Sequence, residues 1–167
     1  SKEAEDLAMK LFRCLEKKVW DAEGHGYVEA LNADWSPLED VRLSDKDMNA
    51  VFTMNTHLHI LEPYTNLYLL TSDASVRSAV LRLLDIFRDR IYDVSSSHLG
   101  SFFNSSWERL DSEISYGHDI EASWLICEAA DAVGVSDRSY YDMADRLVRA
   151  CEEGFRDDGS LVYRYDS

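Results

Sequence analysis

Two short runs of the chain carry the side chains best suited to acid–base chemistry. Asn55-Thr56-His57-Leu58-His59-Ile60-Leu61-Glu62 is the first, and Ser115-Tyr116-Gly117-His118-Asp119-Ile120-Glu121 is the second. Read as helix, Asn55, His59 and Glu62 fall at i, i+4 and i+7 and share one face. His118 and Glu121 stand likewise at i and i+3. Both runs thus contain His-x-x-Glu, separated by about one helix-pair repeat. A carboxylate one turn from an imidazole holds the ring's tautomer and orientation. Such a ring can take and return a proton near neutral pH. His118 opens its helix, where the dipole disfavours imidazolium while Glu121 favours it. His57 lies about 160° from His59 at 3.6 residues per turn, so the two form no chelating pair. Pro63 has no N–H for the carbonyl of His59, which predicts a bend there.

On spacing alone three readings stand: hydrogen-bonded core histidines, acid–base catalysts converging on one cavity, or metal ligands. A di-metal carboxylate bundle uses Glu-x-x-His with two further inward Glu residues. The order here is reversed, which weakens the metal reading without removing it. His25 and His98 fall in loops and are expected at the surface. Trp35, Trp107 and Trp124 read as buried or anchoring aromatics, with stacking on a sugar face as the alternative. Gly-rich phosphate loops, Gly-x-Ser-x-Gly and Cys-x-x-Cys are absent from the sequence.

The elements that must position these groups are helices. Leu7, Ala8, Leu11, Phe12, Leu15 and Val19 make one apolar stripe, and Val76, Val80, Leu83, Leu84, Phe87 and Ile91 a second. Tyr140, Met143, Ala144, Leu147, Val148 and Cys151 make a third. Between them, residues from Met48 to about Leu70 and from His118 to Val133 are apolar on nearly every side, the mark of a buried helix. The order is outer, inner, outer, inner, outer. Inner-to-outer links are short and polar, as αα-hairpins require. Outer-to-inner links are long and share a theme of aromatic, acid, glycine and a short β-like run. Trp20-Asp21, Tyr92-Asp93 and Phe155-Arg156-Asp157 open them, so that the acid recurs at nearly even intervals. Tandem helix pairs with apolar inner members predict an all-α fold, part of an α/α toroid whose long loops wall a pocket.

Composition narrows the partners. The 167 residues include 17 basic and 32 acidic side chains, a net charge of −15. That balance argues against nucleic acid and against anionic membranes, both of which need clustered Lys and Arg. No 18-residue apolar run is present, so no transmembrane helix is expected. Neither is a secretory leader. Cys14, Cys127 and Cys151 have no metal-ligand spacing, and a reduced, cytoplasmic setting is expected.

The two His-x-x-Glu runs, extended to Asn55–Tyr68 and Ser115–Trp124, closely resemble signature segments of cellobiose 2-epimerases, within the N-acylglucosamine 2-epimerase superfamily. Asp34–Asp40 and Leu43–Asp47 are similar to that family as well. The resemblance implies a toroid of six helix pairs, an (α/α)6 fold. It implies C2 epimerisation of the reducing-end sugar of a β-1,4-linked disaccharide through a cis-enediolate, with histidine acid–base catalysis and no metal or organic cofactor. His118 matches one of the two acid/base histidines, His59 a further essential histidine near the sugar oxygens, Asn55 a substrate-binding residue and Glu121 a carboxylate beside His118. Glu62 is added on spacing alone, as an orienter of His59. The family's second acid/base histidine lies farther toward the C-terminus and has no counterpart here. Residues 1–167 therefore read as one partial toroid, about two-fifths of a longer barrel, expected to be inactive alone and to self-associate through its open ends. A non-catalytic sugar-binding module and an aldose–ketose isomerase are the alternatives, the latter because the same enediolate can reprotonate at C1.

Overall fold

Ser1 starts helix α1 (Lys2–Lys18) by accepting a hydrogen bond from the Ala4 N–H. Glu3 and Glu5 in the first turn and Lys17 and Lys18 in the last complement the helix dipole. The computed structural model describes residues 1–42 and 48–166. Four further helices follow: α2 (Met54–Thr71), α3 (Ala74–Ile86), α4 (Tyr116–Val133) and α5 (Ser139–Ala150). A π turn at Phe87–Ile91 extends α3 and a 3-10 turn at Cys151–Gly154 extends α5. The expected bend does not break α2, which is continuous through Pro63. No helix among the described residues is long and apolar enough to cross a membrane.

The hairpin links are local chemistry. Ser72, at φ 53°, ends α2, and the Asp73 carboxylate then caps α3 by accepting from the N–H groups of Ser75 and Val76. Gly134 ends α4 in the same way at φ 68°, a left-handed conformation that costs glycine nothing. These tight reversals place α2 against α3 and α4 against α5. Helices α2 and α4 also pack on each other, α3 touches both, and α1 lies on α2. The result is an arc with α2 and α4 inside and α1, α3 and α5 outside. Leu58, Leu61, Leu83, Leu84, Leu125, Ile126 and Leu147 are fully buried at the seams. Each contributes about 1.5–3 kcal/mol relative to exposure.

Three expectations need correction. The first inner helix starts at Met54, not Met48, because Phe52–Thr53 form a strand instead. The stripes are not wholly buried: Leu7 and Leu11 on α1 are 67% and 56% exposed, and Val148 on α5 is 45% exposed. Ile120 and Trp124 also emerge from α4, the latter 53% exposed. The apolar pattern presupposes neighbours at both ends of the arc that these residues do not provide.

The long connections hold short antiparallel strands. β1 (Trp20–Asp21) pairs with β2 (Gly26–Tyr27), and one repeat later β4 (Tyr92–Asp93) pairs with β5 (His98–Leu99). The third aromatic–acid–glycine run does not repeat this hairpin. Phe155 bridges Leu161 around a tight turn, as Leu31 bridges Pro37 and Phe103 bridges Arg109. In all three turns one residue has positive φ: Trp35, Trp107 or Gly159. Across the arc, β3 (Phe52–Thr53) pairs with β6 (Phe102–Phe103), and β7 (Glu113–Ile114) with β8 (Tyr165–Asp166).

Candidate active site

The N-terminal ends of α2 and α4 face the strand-bearing loops, and these loops fix where each helix begins. Thr53 caps α2, accepting from the Thr56 N–H at 3.1 Å. Its hydroxyl donates in turn to the Glu29 carboxylate, as does that of Thr56. The Met54 N–H donates to the Ser101 carbonyl at 3.0 Å, stitching α2 to the second long loop. Between these parts lies a cavity of 220 Å³ walled by Glu29, Asn55, Ser101, Glu113, His118 and Arg164, among others. Ordinary ligand clefts run to about 300–1,000 Å³, so this space is part of a site rather than a whole one.

His118 is the central group. Ser115 precedes α4 but makes no side-chain cap to the helix; its Oγ lies 2.8 Å from His118 Nδ1 instead. The ring of Tyr163 stands 5.9 Å from the imidazole, centroid to centroid. Burial lowers the His118 pKa below its ordinary 6.5, Glu121 opposes that shift, and His59 and Arg164 reinforce it. The imidazole is therefore neutral at pH 7 and has a carboxylate beside it. The pull of Glu121 is as its spacing predicts, but burial outweighs it. Arg164 is itself held by Glu113 at 2.9 Å.

Four of the predicted site residues divide between two hollows, and Glu121 lines neither, acting on His118 through its charge. Asn55 and His118 line the 220 Å³ cavity. His59 and Glu62 line a wider cleft of 700 Å³ between α1 and α2, with Asn66 and Glu5. His59 is exposed and, among the described residues, makes no hydrogen bond to Glu62. It is nonetheless near enough for its charge to act on His118. The two His-x-x-Glu motifs are not equivalent positions: His59 is the sixth residue of α2 and His118 the third of α4. Glu29, Ser101, Glu113 and Arg164 were missed because they sit on loops whose partners are distant in sequence. Leu43–Asp47, part of the resembling sequence, lies outside the described residues.

The remaining histidines and tryptophans sort by environment. His57 is a core residue: its Nδ1–H donates to the Thr53 carbonyl at 2.7 Å and its Nε2 accepts from the Tyr27 N–H at 3.0 Å. His25 is exposed, as expected. His98 contradicts the expectation of a surface residue. It is 2% exposed, with Nδ1 2.7 Å from Asp119 Oδ2 and Nε2 3.1 Å from Glu153 Oε1. The strand pairing of β5 with β4 turns it inward. Trp107 is an anchor, stacked on Phe52 at 4.7 Å and donating its indole N–H to the Gly24 carbonyl. Trp35 and Trp124 are both exposed. No group of three His, Cys, Asp or Glu side chains among the described residues is arranged to hold a metal ion.

Comparison with known proteins identifies the family and the fold. The profile of the N-acylglucosamine 2-epimerase (GlcNAc 2-epimerase) family matches residues 1–167. The cellobiose 2-epimerase of Bacteroides fragilis is 42% identical over 163 residues, covering 96% of this chain and 42% of the relative. That of Dictyoglomus turgidum is 40% identical over 128 residues, 77% of this chain and 32% of the relative. The chain thus spans less than half the length of the curated relatives it matches. The solved cellobiose 2-epimerase of Bacillus thermoamylovorans superposes with a TM-score of 0.95 at 39% identity, over 100% of this chain and 43% of that one. A D-mannose isomerase shares the fold, with a TM-score of 0.80 at 17% identity. The arc is therefore a portion of an (α/α)6 toroid, and the chain belongs to the N-acylglucosamine 2-epimerase family.

Proposed function

We propose that this chain supplies one acid–base side of a site that epimerises the reducing-end sugar of a β-1,4-linked, cellobiose-like disaccharide at C2. The observation that carries the reading is His118, a half-buried imidazole neutral at pH 7, on a cavity it shares with Asn55. A neutral imidazole is the form that removes the C2 proton of a ring-opened sugar and leaves a cis-enediolate. Glu121 then stabilises the imidazolium so formed. Asn55 holds a sugar oxygen through its amide and His59 donates to a neighbouring oxygen, while Glu62, which shares the wider cleft with His59, would orient it only on a hydrogen bond formed with the sugar in place. The scheme moves protons only and calls on no organic cofactor or metal.

Inversion needs a second acid/base group across the planar intermediate, because the proton must return to the opposite face. That group comes from the part of the enzyme that these residues do not span. Residues 1–167 act as one partial domain, whose exposed Leu7, Leu11, Ile120 and Trp124 pack against the rest of the toroid or, in its absence, against a second copy. Three free cysteines fit a reducing, cytoplasmic setting. The acidic surface fits neither nucleic acid nor an anionic membrane.

The test is conversion of cellobiose to glucosyl-mannose by the full-length enzyme that contains residues 1–167. His118→Ala is expected to lower kcat by about 10²–10⁴-fold. Activity within about tenfold of wild type would remove His118 from the chemistry.

A further inference from the structure

The first turns of the two inner helices are held to their preceding loops in the same way. The Tyr27 N–H donates to His57 Nε2, and the Leu99 N–H donates to Asp119 Oδ1, each at 3.0 Å. Tyr27 and Leu99 are corresponding residues of the two hairpins, paired with Trp20 and Tyr92. His57 and Asp119 are each the fourth residue of their helix. The structural repeat therefore matches His57 with Asp119, not one His-x-x-Glu with the other.

The two attachments differ in what they carry. In the first, a neutral imidazole is flanked by Thr56. In the second, a buried carboxylate stands beside His118 and is itself gripped: Asp119 Oδ2 meets His98 Nδ1 at 2.7 Å. The far nitrogen of His98 meets Glu153 Oε1 at 3.1 Å, and the Tyr116 hydroxyl donates to the same oxygen at 3.1 Å. His98 and Asp119 are 2% and 1% exposed. Unpaired, a carboxylate so buried would be strongly destabilising. The clamp joins strand β5, the first turn of α4 and the turn that follows α5 at the residue after His118.

We propose that Asp119 and His98 are positioning residues for His118, fixing the first turn of α4 so that its imidazole meets the sugar at reacting distance. This rests on the reading of His118 as the acid/base group. A displacement of about 1 Å at a catalytic group can cost on the order of 100-fold in rate. Neither Asp119 nor His98 lines the 220 Å³ cavity, so their loss should reach the reaction through placement, not binding.

Two near-isosteres separate the links. His98→Asn puts an amide nitrogen where Nδ1 sits and keeps the bond to Asp119; His98→Gln puts one where Nε2 sits and keeps only Glu153. In the full-length enzyme acting on cellobiose, His98→Asn is expected to hold kcat within about threefold. His98→Gln is expected to lose about 10–100-fold in kcat, with KM within about threefold. Amide exchange at Leu99 and Asp119 should quicken in the Gln variant only. Equal kcat in the two variants, or unchanged exchange in the Gln variant, overturns the proposal. If His98→Gln fails to fold, Asp119→Asn replaces it, since it keeps an acceptor for Leu99 while losing the charge. An intermediate kcat then supports the proposal and a wild-type kcat overturns it. If the wild-type full-length enzyme does not epimerise, the reading of His118 falls, while the exchange comparison still decides the clamp.

Discussion

His57 makes the fold sensitive to acid in a way that can be calculated. Its ring is fully buried, with Nδ1–H donating to the Thr53 carbonyl and Nε2 accepting from the Tyr27 N–H. That pattern requires the neutral ring, because protonation would set a second N–H against the Tyr27 donor. Burial accordingly lowers its pKa from 6.5 to about 4. A depressed histidine pKa means that the unfolded chain binds the proton more readily than the folded one. Stability is then full above about pH 6.5, falls as the pH drops through the window from 6.5 to 4, and levels off below. At about 1.4 kcal/mol per pH unit, the loss by pH 4 is about 3 kcal/mol, a large fraction of a typical domain's stability. His57→Gln retains an acceptor for Tyr27 but does not titrate. Urea unfolding followed by tryptophan fluorescence, at pH values between 7.5 and 4 in about half-unit steps, gives both curves. The wild type should lose about 3 kcal/mol more than the variant across that range. Parallel curves would show that His57 does not titrate with folding, and would refute the inference from its two hydrogen bonds.

Other outcomes follow from single contacts. A methyl group on Gly117 would sit 2.5 Å from the Tyr163 ring, which lies against His118. Tyr163 is exposed and able to yield, and alanine favours helix over glycine by about 1 kcal/mol. Gly117→Ala should therefore hold or raise Tm while weakening sugar affinity in calorimetry; a fall in Tm with affinity intact would contradict this. Arg82 donates to Glu16 at 2.6 Å and to the Tyr27 hydroxyl, and covers Trp20 at 4.1 Å. Arg82→Ala should cost about 1–2 kcal/mol in denaturant unfolding, given its partial exposure, and a loss below about 0.3 kcal/mol would refute it. For self-association, sedimentation should show the isolated 167-residue chain above monomer mass, and Leu11→Glu with Trp124→Glu should shift it toward monomer. A monomeric wild-type chain would remove the open-end reading.

Local periodicity disclosed much of this molecule because helix faces are local. The alternation of one-sided and all-round apolar helices and the tight polar links needed only helical spacing, whereas Asn55, grouped with His59 and Glu62 by that spacing, lines a different hollow from theirs. What spacing cannot show is a partner across a loop. His98 looked like a surface residue because its partners Asp119 and Glu153 are remote in sequence. Glu29 gave no sign of meeting Thr53 and Thr56. The pairing of β3 with β6, which brings the second loop over the start of α2, joins strands too short to carry any alternation. Trp20-Asp21 and Tyr92-Asp93 stand one repeat apart, but the spacing from hairpin to inner helix differs between the repeats, so the match of His57 with Asp119 shows only in the hydrogen bonds that each accepts from its hairpin. The exposed Leu7, Leu11 and Trp124 teach the opposite lesson, since their pattern describes neighbours that this stretch of chain does not supply.

Whether His118 moves the C2 proton can be read from solvent isotope uptake. The full-length enzyme that contains residues 1–167 and its His118→Ala variant would be incubated with cellobiose in heavy water, and the sugar examined by NMR. If His118 transfers the proton, deuterium enters at C2 of the reducing-end sugar, mannose configuration appears alongside, and the variant gives neither signal. Deuterium at C2 with His118 absent, or epimer formed with no solvent deuterium in the wild type, would contradict the assignment of His118 to the proton transfer.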